Sequence, residues 1–312
     1  MELVRGLHNI SRRHQGCVLT VGNYDGVHLG HQQMICAVKA RAAELRSVAT
    51  VLVFEPSSKE FIDPDGAPPR LTRWREKCLA LAAHGVERLV TLRFDERMRA
   101  MTPQSFVDEL IVERLGTRHM VVGDDFRYGS NAGGTIDSLR AAGRMHGFGV
   151  EQMAPFVFDG VRVSSTAVRE HLELGDFPGA ARLLGRPYRM LGRVVEGRRL
   201  GRTLGFPTAN LRLMRSKPPV WGILAVWVHG IGSRPLPGVA SLGTRPTVNG
   251  IEPLLEAHVF DFSGDLYGRH IEVEFVAKLR DEVKFDSLDA MTVQMKIDAA
   301  RARDLLSKVQ CG

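Results

Sequence analysis

Two histidines three residues apart, His28 and His31, close the stretch Gly22-Asn23-Tyr24-Asp25-Gly26-Val27-His28-Leu29-Gly30-His31, which lies between an apolar run and a helical pattern. On the first turn of a helix that spacing puts both imidazoles on one side. There they can donate hydrogen bonds to phosphoryl oxygens and stabilise charge on a departing pyrophosphate. The glycines let a ligand approach the backbone, and the helix N-terminus adds unpaired N–H groups and a partial positive charge. Gly22, Asn23, Asp25 and Gly30 are therefore candidate nucleotide contacts of the same turn. The plainer alternative is that each imidazole caps or packs the turn. A metal pair is disfavoured because no third ligand stands at a recognisable spacing, and no loop ends in the Gly-Lys-Ser/Thr of a Walker site.

A second candidate anion site is Val163-Ser164-Ser165-Thr166-Ala167-Val168-Arg169, in which three hydroxyl residues open a helix and an arginine follows one turn later. Hydroxyls at such positions usually serve as caps. With Arg169 added, the segment has the makings of a phosphate clamp of backbone N–H groups, Ser164, Ser165, Thr166 and a guanidinium. Asp125, in Gly123-Asp124-Asp125-Phe126-Arg127-Tyr128-Gly129, stands where a strand is expected to end and is a candidate contact to adenine, ribose or metal; Asp-Asp also serves simply as a turn. A third site is Gly201-Arg202-Thr203-Leu204-Gly205-Phe206-Pro207-Thr208-Ala209-Asn210, a glycine-punctuated loop running into a strand. Gly201 and Gly205 would let it cover phosphates, and Thr208 and Asn210 offer hard oxygens to Mg²⁺.

Positioning these groups requires two kinds of scaffold. Up to about residue 160, short apolar runs alternate with longer amphipathic ones, the pattern of parallel strands joined by helices. Strands are expected at Cys17–Val21, Ala49–Phe54, Arg88–Leu92, His119–Val122 and Val150–Met153, with helices at Gln32–Leu45, Arg73–Ala83, Pro103–Leu115 and Ile136–His146. Two further helices, Thr166–Leu174 and Phe177–Leu184, lead to Gly185, where the pattern changes. Beyond it, strands at Arg189–Val195, Ile223–Val228, Gly238–Ser241, Glu256–Phe262 and Ile271–Phe275 suggest a small closed barrel, with a final helix at Leu288–Leu306. The expected division is thus 1–184 and 185–312.

Bulk properties agree with an ordinary two-domain enzyme: 312 residues, 44% hydrophobic and 25% charged. A net charge of +7 suits nucleotides, phosphate esters or nucleic acid without choosing among them. The basic residues are scattered, and four Tyr and three Trp give them little aromatic interleaving, so a nucleic-acid groove is unsupported. Cys17, Cys36, Cys78 and Cys311 form no Cys-x-x-Cys spacing, and reduced thiols in the cytoplasm are expected. The start of the chain has no apolar run behind a basic segment, and neither export nor a membrane span is expected.

The His28/His31 turn together with Ser164-Ser165-Thr166-Ala167-Val168-Arg169 resembles the nucleotidyltransferase superfamily and, more closely, the FAD synthetase half of bacterial bifunctional riboflavin kinase/FAD synthetase. Pro207-Thr208-Ala209-Asn210 resembles the riboflavin kinase signature, and Gly238-Val239-Ala240, Gly243-Thr244-Arg245-Pro246-Thr247, Asp265-Leu266-Tyr267-Gly268 and Leu279-Arg280-Asp281-Glu282 extend the resemblance over nearly the whole chain. The resemblance implies an α/β nucleotidyltransferase sheet, Rossmann-like, followed by an antiparallel β-barrel with a C-terminal helix. It implies phosphorylation of riboflavin and adenylylation of FMN, with ATP as co-substrate, Mg²⁺ as cofactor, FAD as product, and neither nucleic acid nor membrane as partner. ATP phosphates would be held by His28, His31, Ser164, Ser165, Thr166 and Arg169, and Mg²⁺ by Thr208 and Asn210. Glu256 stands at the position of the catalytic glutamate; on a strand with alternating faces it shares one side with His258 and Phe260.

Departures from the family pattern are Tyr24 for Phe, Ser57-Ser58 after Phe54-Glu55-Pro56, the lack of an Arg in Ser130-Asn131-Ala132-Gly133-Gly134-Thr135, Gly222-Ile223-Leu224 for Gly-Val-Tyr, and Ser241-Leu242 for Asn-Ile. Two other readings remain: a kinase whose first half has drifted, and a flavin-sensing or nucleic-acid-binding module. The segment Gly197–Gly205 is the expected lid.

Overall fold

The computed structural model describes residues 1–197, 205–215, 217–247 and 250–309. Gly201 and most of the expected lid lie outside the described residues, as does Cys311. The chain forms two compact units. One comprises Met1–Pro68 and Lys77–Ser164, the other Pro69–Glu76 and Ser165–Gly312.

The first unit is built on a six-stranded sheet: β1 (Glu2–Arg5), β2 (Cys17–Val21), β3 (Val48–Phe54), β4 (Arg88–Leu92), β5 (His119–Val122) and β6 (Gly149–Gln152). The spatial order is β1-β4-β3-β2-β5-β6 and every pairing is parallel. Strands covered on both faces read as continuous apolar runs, which is why β2 and β3 stand out in the sequence. Along β2, Val18 packs with Val38, Ala42, Ala49 and Val121, beside the helix Leu29–Glu44, while Cys17 and Leu19 join the opposite core with Leu52, Val90, Leu110 and Met120. The chain runs from β2 to β3 on one side and later sets β5 on the other. The ends of β2 and β5 therefore border the crevice where sheets of this kind bind ligands.

Some elements of this unit differ from the expected ones. Strand β1 pairs with β4 at the sheet edge, and at four residues it is too short for periodicity to reveal. The expected helix Pro103–Leu115 is a short α-helical turn, Pro103–Ser105, running into a π-helix, Phe106–Arg114, with Leu115 N–H donating to the Leu110 carbonyl five residues back. A small hairpin, β7 (Val157–Phe158) and β8 (Val161–Arg162), precedes Val163.

The second unit holds a closed antiparallel barrel of β9 (Arg189–Val195), β10 (Ala209–Arg212), β11 (Gly222–His229), β12 (Leu236–Thr247), β13 (Gly250–Val259) and β14 (His270–Arg280), in the order β10-β13-β12-β11-β14-β9. β9 pairs with β10 and closes it. Leu224, Val226, Val228, Leu255, Ala257 and Val259 are buried at alternating positions, the period of a strand with one face in a core. The last helix, Leu288–Lys308, starts at a Ser287 cap and packs Ala302 and Leu306 on Ala225, Phe260 and Leu279. The expected strand Glu256–Phe262 instead runs from Gly250 and stops at Val259, because Asp261 turns the chain through a left-handed φ of 55°. The helices Ser165–Glu173 and Phe177–Leu184 belong to this unit, and Gly185 ends the second with φ 69°.

Candidate active sites

In the first unit, β2 delivers the chain into a strained turn. Tyr24 and Val27 have positive φ, 49° and 45°, beside Gly26 at 85°. For a β-branched residue such as Val27 this region costs energy, and conformations of this kind concentrate where ligands bind. The turn is held by its own contacts: Tyr24 Oη hydrogen-bonds Thr20 Oγ1 at 2.7 Å, and Gln32 Nε2 donates to the Val27 carbonyl at 2.9 Å. The Tyr24 ring lies 4.8 Å from that of His31, so the extra hydroxyl is absorbed by Thr20 while the ring still packs.

His28 is the N-cap of the helix Leu29–Glu44. Its Nδ1 accepts from the His31 N–H at 3.3 Å, and the two imidazoles stack with centroids 3.7 Å apart and planes 16° from parallel. The capping role is therefore real. An imidazole that accepts at Nδ1 carries a proton on Nε2, so Nε2 is the ring's donor atom. His31 Nδ1 is buried with no hydrogen-bond partner. Burial, then His28 and Lys77, hold the His31 imidazole well below the ordinary histidine pKa, so it is neutral at pH 7.

Gly30 borders the pair, and Gly22 faces the Tyr24 ring. A side chain at Gly30 would press on the His28 ring and on the Val163 carbonyl at 3.3–3.4 Å, which shows how closely the strand leading to Ser164 approaches this turn. Asn23 is exposed and Asp25 half-buried. Beyond β5, the Asp125 carboxylate is exposed, 4.0 Å from Arg162, while Asp124 takes the closer bond from Arg162 at 2.9 Å. Arg162 had no motif to announce it; only the hairpin brings it there. Ser57 explains one departure, since it caps the short helix Ser58–Ile62 in a reciprocal box with Glu60.

Ser165 and Thr166 open the helix Ser165–Glu173 in the second unit, one residue after Ser164, with Thr166 exposed. Arg169 Nε donates to the Pro69 carbonyl at 2.6 Å, which fixes the guanidinium plane. This unit also carries the barrel site, laid out by register. Asn210 of β10 and Ser241 of β12 are the direct partners of Glu256 on the two sides of β13. These three alternate with Ala209, Leu211, Ala240, Leu242, Leu255 and Ala257, which are buried in the barrel, so they share the opposite face, on which Asn210 is buried and Ser241 and Glu256 are half-buried. His258, two residues along, donates its Nδ1–H to the Pro207 carbonyl at 2.9 Å and contacts the rings of Phe206 and Phe260. Pro207 and Thr208 are thereby set beside the row. Gly205 turns with φ 82°. The Asn210 side chain lies beneath Gly197, where a Cβ would meet its amide at 2.4–2.5 Å. No cluster of three or more His, Cys, Asp or Glu suited to a metal occurs among the described residues. Thr208 and Asn210 offer a hydroxyl and an amide oxygen, hard donors of the kind that suit Mg²⁺.

Similarity to known proteins follows the same division. The FAD synthetase family profile matches residues 10–167 and the riboflavin kinase profile residues 184–306. Bifunctional riboflavin kinase/FMN adenylyltransferases from Escherichia coli K12 and Pseudomonas fluorescens are 47% and 46% identical to this chain, with 97% and 98% of both chains covered. A solved structure from Streptococcus pneumoniae, described as a macrolide-efflux protein, superposes with a TM-score of 0.80 at 29% identity over 97% of this chain and 99% of that one. No helix among the described residues is long and apolar enough to cross a membrane. With two family profiles in this order and relatives similar over nearly their whole length, the chain belongs to the bifunctional riboflavin kinase/FMN adenylyltransferase family.

Proposed function

We propose that this chain makes flavin cofactors in two steps, phosphorylating riboflavin with ATP and then adenylylating the FMN to FAD, with residues 185–312 serving the first reaction and 1–184 the second. The observation that carries the reading is the register that sets Glu256 directly between Asn210 and Ser241.

In the first step the ribityl hydroxyl is a poor nucleophile until its proton has an acceptor. Glu256 takes that proton as the oxygen attacks the γ-phosphorus; the bond to the bridging oxygen breaks and ADP leaves. Thr208 and Asn210 would hold Mg²⁺, which supplies charge neutralisation on the phosphates. Gly205 is described and Gly201 lies outside the described residues; both are expected in a loop covering the phosphates.

The second step needs no such base, because the FMN phosphate is largely ionised near pH 7, its second pKa being about 6. An FMN phosphate oxygen attacks the α-phosphorus of ATP and pyrophosphate departs. His28 and His31 donate to the departing oxygens from the helix N-terminus, and Gly22, Asn23, Asp25 and Gly30 border that pocket. Ser164, Ser165, Thr166 and Arg169 are the further candidates for phosphate contacts, and Asp125 for the nucleoside. The reading takes the cytoplasm as the setting, with neither nucleic acid nor membrane as partner.

Incubating the protein with riboflavin, ATP and Mg²⁺ and resolving the flavins by chromatography tests this. FMN followed by FAD is expected. FMN alone would reduce the chain to a kinase, and no conversion would end the proposal.

A further inference from the structure

The helix Ser165–Glu173, which carries Arg169, and the segment Pro69–Glu76 both lie within residues 1–184, the part assigned to adenylylation, yet both belong to the barrel unit. The two meet at one bond, from Arg169 Nε to the Pro69 carbonyl at 2.6 Å. A guanidinium is a rigid fork, so a bond that takes its Nε–H also sets the direction of its two Nη groups. Where Arg169 aims therefore depends on where Pro69 sits.

The placing of Pro69 is done by the barrel. Residues 69–73 precede the helix Trp74–Ala83 and form no helix or strand of their own. Arg215, three residues beyond the end of β10, enters this segment with a side chain that has no solvent exposure. Its Nη1 donates to the carbonyls of Arg70 at 3.2 Å and Leu71 at 3.4 Å, the two peptide units that follow Pro69. Its Nη2 donates to both oxygens of Glu76, which in turn accepts from the Arg73 N–H at 2.7 Å and from the Leu191 N–H of β9 at 2.8 Å. Tyr188 Oη adds a bond to the Leu71 carbonyl at 3.0 Å, and the Leu71 side chain is fully buried. Charged donors on main-chain carbonyls in a buried site fix the backbone itself, not only a side chain.

We propose that Arg215, from the part assigned to the kinase, is a positioning residue of the adenylylation step: by holding the Arg70 and Leu71 carbonyls it sets Pro69, on which Arg169 is oriented toward the ATP phosphates. The inference rests on the reading of Arg169 as a phosphate contact.

The test uses the full-length protein, with FMN-to-FAD conversion and FMN formation measured separately on each preparation. Arg215→Met/Glu76→Met removes the clamp without leaving one buried charge alone, and Tyr188→Phe removes one hydroxyl at nearly constant volume. The double variant should raise KM for ATP in FAD formation on the order of tenfold, the scale of one displaced charge-assisted hydrogen bond, with a smaller change in kcat and with FMN formation near the parent rate. Tyr188→Phe should move the same KM the same way by about two- to fivefold. Arg169→Ala should show the full loss, and adding Arg215→Met/Glu76→Met to it should do no further harm, because a residue acting through Arg169 then has nothing to place. If the two losses add, or KM for ATP stays at the parent value in both the double variant and Tyr188→Phe, the proposal falls. Should the double variant lose both activities together, Tyr188→Phe decides: a raised KM for ATP with intact FMN formation sustains the proposal, and an unchanged KM overturns it. If Arg169→Ala itself keeps the parent KM and kcat, the reading of Arg169 falls first and takes this inference with it.

Discussion

Arg215 Nη2 donates to both carboxylate oxygens of Glu76, at 2.8 and 2.6 Å, across 139 positions of sequence, from a side chain with no solvent exposure. Its Nη1 reaches the carbonyls of Arg70 and Leu71 and the Tyr188 hydroxyl, while Glu76 Oε1 also accepts from the Leu191 N–H. One buried ion pair thus fastens Pro69–Glu76 to the start of the barrel.

Removing one partner of such a pair leaves the other charge buried. Arg215→Met should destabilise the barrel unit by roughly 3–5 kcal/mol, and Arg215→Met/Glu76→Met should be markedly less harmful than the single change. Denaturant titration followed by Trp fluorescence measures both, and equal losses in single and double variants would show that the charges are not the cause.

Glu256→Gln should reduce FMN formation by about 10²- to 10⁴-fold, the usual contribution of a positioned base, and leave FMN-to-FAD conversion near its parent rate. His28→Ala should do the opposite, lowering FAD formation about 10²- to 10³-fold for the lost phosphate donor. Separate assays starting from riboflavin and from FMN read the two effects. Parallel loss of both activities in either variant would argue against two independent pockets.

Gly197 bears on the same site through space alone. An alanine there meets the Asn210 amide at 2.4 Å, so the amide must move. Gly197→Ala should raise the Mg²⁺ concentration needed for half-maximal FMN formation several-fold without affecting FMN-to-FAD conversion; a magnesium titration of the kinase rate decides it.

His31 makes stability depend on pH in a defined direction. Its folded pKa lies well below the ordinary 6.5, so above pH 6.5 neither folded nor unfolded chain is protonated there and the site contributes nothing. As pH falls below 6.5 the unfolded chain takes up a proton that the folded one refuses, and stability drops by up to about 1.4 kcal/mol per pH unit until the folded pKa is reached. Denaturation midpoints at pH 7.5 and 5.5 should converge for His31→Gln relative to the parent, and an unchanged pH slope would contradict the burial argument.

Much of this was legible in the linear chain, for local reasons. The apolar runs of β2, β3, β4 and β5 signal a buried parallel sheet because both their faces are covered, and the spacing of His28 and His31 marks a helix start because the helical period alone sets which side chains align. Asn210, Ser241 and Glu256 each sit in a readable strand or motif. Their union does not, since it depends on a pairing register between strands far apart in sequence. The same holds for what only the tertiary structure decided: the grouping of Pro69–Glu76 with the barrel, the Arg162 pairing with Asp124, the stacked and neutral His31, and Glu282 resting on Gly243. Periodicity and turn chemistry act over a few residues, whereas burial of a charge and its choice of partner are settled by whatever distant chain arrives to fill the space beside it.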